Sequence, residues 1–210
     1  MSEPSKKKVR HTTPVGIAKW PHLTKPDYKF KDAGEFHTKM RIGKDEFEAS
    51  IKDVIDSTYN NAVKAAKAAC AKDKKKPPKV LDMPYFFYED DNEYEISFKS
   101  KYSWIDRETK EVKTRTVPIF NSRGELIKDP SIKIGNGTTL RVSFIIDPFH
   151  TALGVGVSLK LEAVKILNLV EYGANAESFG FGGDESSEDY ASDESMGDAQ
   201  GSSEEDEAPF

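Results

Sequence analysis

The stretch Glu93-Tyr94-Glu95-Ile96-Ser97-Phe98-Lys99-Ser100-Lys101-Tyr102-Ser103-Trp104 decides how the fold is read. Successive strand residues point to opposite faces of a sheet. One face here is Tyr94, Ile96, Phe98, Ser100, Tyr102 and Trp104, apolar and aromatic enough to cover a core. The other is Glu93, Glu95, Ser97, Lys99, Lys101 and Ser103, and it turns basic where aromatic residues crowd the strand. Lysines beside aromatics on a sheet suit a flexible polyanion with exposed bases.

Outward from this strand the chain alternates short strands with turns. On its N-terminal side, Thr13–Trp20 reads as a first strand. Trp20 to Lys31, with Pro21 and Pro26, reads as an extended irregular loop. That loop interleaves Trp20, Tyr28 and Phe30 with Lys25, Lys29 and Lys31, a stacking-and-phosphate pattern. Glu35–Ile42 alternates as a second strand. A helix is expected over about 45–71, with Asp45 as N-cap and Glu48 completing a capping box. Phe47, Ile51, Val54, Ile55, Tyr59, Ala62, Val63 and Ala66 recur at helical spacing and form its core stripe. On the C-terminal side, Asp106–Lys110 is a hairpin loop. Glu111–Phe120 returns as a strand, with Lys113 and Arg115 on one side. Thr139–Ile146 is a further strand, Asp147–His150 a loop holding Phe149, and Gly154–Val170 a long last strand. Short strands with one inserted helix make the expected fold mainly β: an OB-fold, a five-stranded antiparallel Greek-key barrel.

Charge divides the chain. No Lys or Arg follows Lys165, and residues 171–210 carry 13 acids. Residues 1–170 hold the other 23 acids against all 31 basic residues, so a body of net +8 is joined to a −13 tail. Such asymmetry points to a polyanionic partner for the body and to a tail able to compete for the same surface. The expected organisation is a flexible basic arm over 1–12, a barrel domain over 13–171 and a disordered acidic tail over 172–210. The tail ends Glu204-Glu205-Asp206-Glu207-Ala208-Pro209-Phe210, a cluster of acids closed by an aromatic anchor.

Other classes find little support. The single cysteine, Cys70, allows no intrachain disulfide. No run of about 18 apolar residues marks a membrane span, and Met1–Arg10 has no apolar stretch of the kind a signal peptide needs. There is no phosphate-cradling glycine loop, nucleophile motif or paired Cys/His spacing. Glu89-Asp90-Asp91-Asn92 lacks the spacing and glycine of a calcium loop. His11, His22, His37 and His150 are scattered and read as surface or loop residues. Neither an enzyme nor a cofactor or metal site is therefore expected. The alternative to nucleic-acid binding is an acidic-tailed chaperone of basic proteins.

In the order of its pieces, the sequence resembles the single-stranded-DNA-binding proteins of short-tailed bacteriophages. Those pieces are Lys25-Pro26-Asp27-Tyr28, Asp82-Met83-Pro84-Tyr85-Phe86, the hairpin from Phe98-Lys99 through Asp106 to Thr109-Lys110-Glu111, Thr151-Ala152-Leu153-Gly154, and the acidic tail closed by Phe210. The resemblance implies an OB-fold homodimer in the cytoplasm of the infected bacterial host, coating single-stranded DNA during replication, recombination and repair and assisting strand annealing. It also implies a tail that contacts the phage DNA polymerase and primase-helicase, and that occupies the protein's own groove when DNA is absent. Lys99 falls where that family has a groove lysine and Phe149 where it has a stacking tyrosine. Ser97 stands where the family has a second lysine, with Lys101 nearby, and around Asp32-Ala33-Gly34 the family's basic residue has no clear equivalent. The candidate DNA contacts are thus Lys99, Lys101, Phe149, Lys25, Tyr28, Trp20, Lys29, Lys113 and Arg115, with Glu204, Glu205, Asp206, Glu207 and Phe210 as the partner-binding tail.

Overall fold

A computed structural model describes residues 9–171 except Phe30, Lys75 and Arg107. The arm residues Lys6, Lys7 and Lys8 and the tail with Glu204, Glu205, Asp206, Glu207 and Phe210 lie outside the described residues.

The strands in chain order are β1 (Arg10–Thr12), β2 (Gly16–Asp27), β3 (Glu35–Gly43), β4 (Tyr85–Tyr88), β5 (Glu93–Lys101), β6 (Ser103–Ile105), β7 (Val112–Thr114), β8 (Ile119–Phe120), β9 (Thr139–Thr151) and β10 (Gly154–Asn168). Five of them close into a ring. β2 pairs β3, β3 pairs β5, β5 pairs β10, β10 pairs β9, and β9 returns to β2. This is the order of an OB barrel. Four of the junctions are antiparallel, while β5 and β10 run parallel, with Leu159 beside Phe98 and Lys160 beside Lys99. The all-antiparallel expectation needs this one exception, because directions cannot alternate all the way round a closed ring with an odd number of strands.

The alternation in β5 is realised from Tyr94 to Ser100: these even-numbered residues are buried, while Ser97, Lys99 and Lys101 are exposed. Phe36, Met40 and Ile42 of β3, Ile96 and Phe98 of β5, Leu140, Val142 and Phe144 of β9, and Leu159 and Leu161 of β10 fill the interior. The Phe98 and Phe144 rings lie 5.2 Å apart across the barrel. Full burial of such a side chain contributes about 1.5–3 kcal/mol. Ser100 is the polar exception. Its Oγ is buried without a partner among the described residues.

Between β3 and β4 the chain forms α1 (Lys44–Phe47), a π-helical turn (Glu48–Lys52) and α2 (Asp53–Lys72). Phe47, Ile51, Ile55 and Ala66 are buried, as the stripe requires, whereas Val54 is exposed. The expected cap is not formed. Gly43 occupies the N-cap position with no side-chain bond. The Lys44 N–H donates instead to the Asn92 carbonyl (3.1 Å), and the Glu48 carboxylate accepts from the Tyr94 hydroxyl (2.8 Å). The helix start is thus fixed by the barrel rather than by its own residues. Two further hydroxyls tie α2 down, Tyr59 to the Leu81 carbonyl (2.6 Å) and Tyr85 to Asp56 (2.5 Å).

Several boundaries differ from the sequence reading. Arg10–Thr12, expected within the arm, pair with Ile145–Ser143 of β9 as β1. The first strand does not stop at Trp20. β2 runs on through Pro21 and Pro26 to Asp27, absorbing them in register shifts between Lys19 and His22 and between His22 and Asp27. The expected loop Asp147–His150 is continuous strand, with Pro148 opposite Val157 and Phe149 opposite Gly156. The return strand Glu111–Phe120 is two pieces. β7 makes a separate hairpin with β6, and β8 joins β10. The last strand ends at Asn168 rather than Val170.

Two core substitutions separate the terms that hold the barrel. Phe98→Ala is expected to cost about 3–5 kcal/mol in urea unfolding with an unchanged m-value. Ser100→Ala removes an orphaned hydroxyl and is expected to raise stability by roughly 1 kcal/mol. A loss on Ser100→Ala would show that the hydroxyl is satisfied in solution.

Candidate nucleic-acid interface

In OB barrels the outer face of the second and third ring strands, with the loops joining strands one to two and four to five, receives oligonucleotides. Here those are β3 and β5, the segment 28–34, and the turn at Ala152–Leu153. Because the even residues of β3 and β5 fill the core, their odd residues form the outer face. The register there sets Arg41 beside Glu95, Lys39 beside Ser97, His37 beside Lys99 and Glu35 beside Lys101.

Charge is unevenly distributed along that face. At one end Arg41 donates to Asp91 Oδ2 (3.0 Å) and Glu95 Oε2 (3.3 Å), with its guanidinium carbon 3.7 Å from the centre of the Tyr88 ring. Lys39 donates to the other Glu95 oxygen at 2.7 Å. Burial alone would raise the Glu95 pKa, but Lys39 and Arg41 outweigh it and hold the carboxyl below its ordinary value. These cations are internally satisfied. At the other end Lys99 and Lys101 are exposed and have no ion-pair partner among the described residues. The nearest acid to Lys101 across the strands, Glu35, is already held by Lys31. Lys160, beside Lys99 on β10, adds a third cation, which lies 3.8 Å from Glu162. The sequence reading passed over Lys160, and only the parallel register reveals it.

Three of the candidate aromatic residues lie on the strands and segment that flank this face: Trp20 on β2, Tyr28 just after it and Phe149 on β9. Trp20 is 64% exposed and has a positive φ of 51°. That conformation is costly for a bulky residue, and the Trp20 N–H donates to Asn136 Oδ1 at 2.6 Å. Tyr28 is 54% exposed and packs edge-on against Tyr102, with ring centres 6.2 Å apart. Gly34, at φ 69°, makes room for this pair, since a Cβ there would meet Tyr28 Cε1 at 2.9 Å and Tyr102 Cβ at 3.2 Å. Phe149 is half-buried over Gly156, where an added Cβ would touch its Cζ at 3.3 Å. Gly156 precedes Lys160 by four residues, which places Phe149 roughly 13 Å along the strand from the lysines. Lys25 and Lys29 are exposed beside Tyr28. The Lys29 N–H donates to Asp27.

Lys113 and Arg115 are placed differently. Lys113 lies on the β6–β7 hairpin and donates to Asp106 Oδ2 at 2.5 Å. Arg115 donates to the Leu161 carbonyl (3.3 Å) and to Glu162 (3.4 Å), tying the hairpin's end to β10. Trp104, assigned above to the core face, is 40% exposed with Lys113 as its cross-strand neighbour. The break between β5 and β6 at Tyr102, whose N–H donates to the Gly34 carbonyl (2.9 Å), ends the alternation that would have buried it.

A closed five-stranded barrel with unpaired lysines on its second-to-third-strand face has the form of an OB-fold binding module, and among the described residues no helix is long and apolar enough to cross a membrane. The family model of the single-stranded DNA-binding protein of bacteriophage T7 matches residues 15–170. The chain is 31% identical over 191 residues to the single-stranded DNA-binding protein of Enterobacteria phage T3, spanning 82% of this chain and 81% of that one. To that of Escherichia phage T7 it is 29% identical over 185 residues, spanning 79% and 78%. The chain belongs to this family of phage single-stranded DNA-binding proteins, which are binders and not enzymes. Among solved structures, gp2.5, the single-stranded DNA-binding protein encoded by bacteriophage T7, superposes with a TM-score of 0.70 at 27% identity, covering 86% of this chain and 97% of its own. The single-stranded DNA-binding protein of bacteriophage Enc34 in complex with single-stranded DNA shares the fold at a TM-score of 0.53 and 15% identity, covering 82% and 97%.

The Lys113–Asp106 pair can be checked by titration. Lys113, with the Thr109 and Glu108 N–H groups, holds the Asp106 carboxyl down at about 2. Its contribution to stability is therefore complete above the ordinary carboxylate pKa and disappears only as pH falls through about 2. Carboxyl-carbon NMR should show that midpoint, and Lys113→Gln should return it toward the ordinary aspartate value. An ordinary midpoint in the unsubstituted chain would mean that Lys113 is free in solution.

Proposed function

We propose that the chain coats single-stranded DNA without regard to sequence, through the outer face of β3 and β5. The observation that carries this is the pair Lys99 and Lys101, exposed and without acidic partners among the described residues, on a barrel face whose other cations are neutralised. Lys99, Lys101, Lys25 and Lys29 would neutralise phosphates, while Trp20, Tyr28 and Phe149 would stack on bases. Stacking contributes about 1–3 kcal/mol per base and tolerates any sequence. Lys113 and Arg115 would join only by exchanging their acidic partners for phosphates.

In this reading the protein acts as a homodimer in the cytoplasm of the infected bacterial host, in replication, recombination, repair and strand annealing, which family membership supports. The acidic tail, with Glu204, Glu205, Asp206, Glu207 and Phe210, shields the groove until DNA displaces it and then recruits the phage polymerase and primase-helicase. The segregation of a +8 body from a −13 tail supports the tail's part.

Fluorescence anisotropy with a labelled strand of roughly 30 nucleotides, across a salt series, tests both parts. Full-length chain should bind with a negative salt slope, and residues 1–183 should bind more tightly. Lys99→Ala with Lys101→Ala should reduce the magnitude of log K against log salt by about 1.4, the value for two lost phosphate contacts on a single strand. An unchanged slope would remove these lysines from the interface. Equal affinity of the full and shortened chains would remove autoinhibition, and no binding by either would favour a chaperone of basic proteins.

A further inference from the structure

His22, Asp27 and His37 form a cluster that was not apparent from their positions in the sequence. The two histidines are direct cross-strand partners on β2 and β3. Their ring centres are 4.7 Å apart, tilted by 36°, and His37 Nε2 lies 3.2 Å from Asp27 Oδ2. One donor atom from each of the three residues falls within 4.8 Å of the others. A regular strand would send His22 and Asp27, five residues apart, to opposite faces. The register shifts on either side of His22 bring both against His37. Asp27, His37, Lys31 and Glu35 line a shallow cavity of about 230 Å³.

We propose that His22, Asp27 and His37 bind a divalent transition-metal ion of the Zn2+ type at the edge of the lysine-bearing face. Two imidazole nitrogens and one carboxylate oxygen suit zinc, with bonds of about 2.0–2.2 Å and donors about 3.4 Å apart in a tetrahedron. The His37–Asp27 separation already meets that spacing, and rotation of the exposed His22 ring closes the rest. The Lys29 N–H donates to Asp27 Oδ1 (2.8 Å), which leaves Oδ2 toward His37. Three protein ligands leave a fourth position for water or an incoming oxygen. Lys31 is occupied by Glu35 and so does not contest the carboxylate. Across the strand from His37 is Lys99. A bound ion would add two positive charges beside the lysine that the DNA-binding reading uses, and this consequence alone rests on that reading.

The test uses the full chain without affinity histidines, stripped with EDTA and dialysed against Zn2+, with Co2+ as the spectroscopic probe. We expect one zinc per chain that His22→Gln, His37→Gln and Asp27→Asn each weaken by more than about tenfold, with His150→Gln unchanged. Co2+ should show the intense visible absorption of a tetrahedral site, lost in the same three variants. All variants keep the acidic tail, so weak binding there cancels. Histidine-ring NMR of the unsubstituted chain guards against a variant that fails to fold: Zn2+ should move the His22 and His37 signals and leave His11 and His150 in place. Zinc uptake equal in all variants, or ring shifts absent at His22 and His37, would overturn the site. Specific zinc uptake with unchanged DNA affinity would overturn its role at the groove, and loss of DNA binding with zinc uptake intact would overturn the DNA reading alone.

Discussion

The parallel pairing of β5 with β10 is the constraint on which the rest depends. A five-stranded ring must contain one parallel junction, and here it falls beside Phe98 and Lys99. Closure removes the sheet edges that would otherwise need protection. It also fixes parity: once Phe98 and Leu159 point inward against Phe144, Lys99 and Lys160 must point outward side by side. A slip of either strand by one residue would turn its own lysine inward. The same register therefore determines the core and concentrates charge outside it. β10 carries much of the load, since it also pairs with β9 along its length and with β8.

Given that placement, selectivity on the outer face comes from which cations are already satisfied. Glu95 accepts from both Lys39 and Arg41, and Asp91 takes a further Arg41 nitrogen. Those groups fix β3 to β5 and offer little to an approaching phosphate. Glu35 could have done the same for Lys101, its cross-strand neighbour, but is taken by Lys31. Surface ion pairs contribute only about 0–1 kcal/mol each. Their larger effect here is to decide where positive potential remains, and steering by that potential acts on encounter with a polyanion.

The fold was legible where local pattern and burial agree. Alternation from Tyr94 to Ser100 located β5 and put Lys99 and Lys101 outside, and the 3.6-residue stripe located the helix. The legible part ended where long-range partners override local preference. Pro21 and Pro26 read as loop residues, yet β2 passes through them because each falls within a register shift, where the ladder demands no N–H from it. Pro148 likewise lies inside β9. Lys113 and Arg115 read as available cations because their acids, Asp106 and Glu162, are neutralising partners only in three dimensions. Trp104 was misassigned because alternation carries no sign of the break at Tyr102. The Asp45 cap signal lost to contacts from Asn92 and Tyr94, which no local rule contains.

His22, Asp27 and His37 show the same limit from the other side. Neither the spacing of five and ten residues between them nor the isolated histidines satisfies any linear ligand pattern. They meet because the register of β2 against β3 shifts twice between Lys19 and Asp27, and because β3 presents His37 opposite His22. A regular β2 would have kept the outer face smooth and left Asp27 pointing away. The register shifts in β2, within which both prolines fall, thus bring three donor-bearing side chains together at the edge of the β3–β5 outer face. Strand regularity holds Lys99 and Lys101 in line, while departure from it supplies the polar cluster beside them.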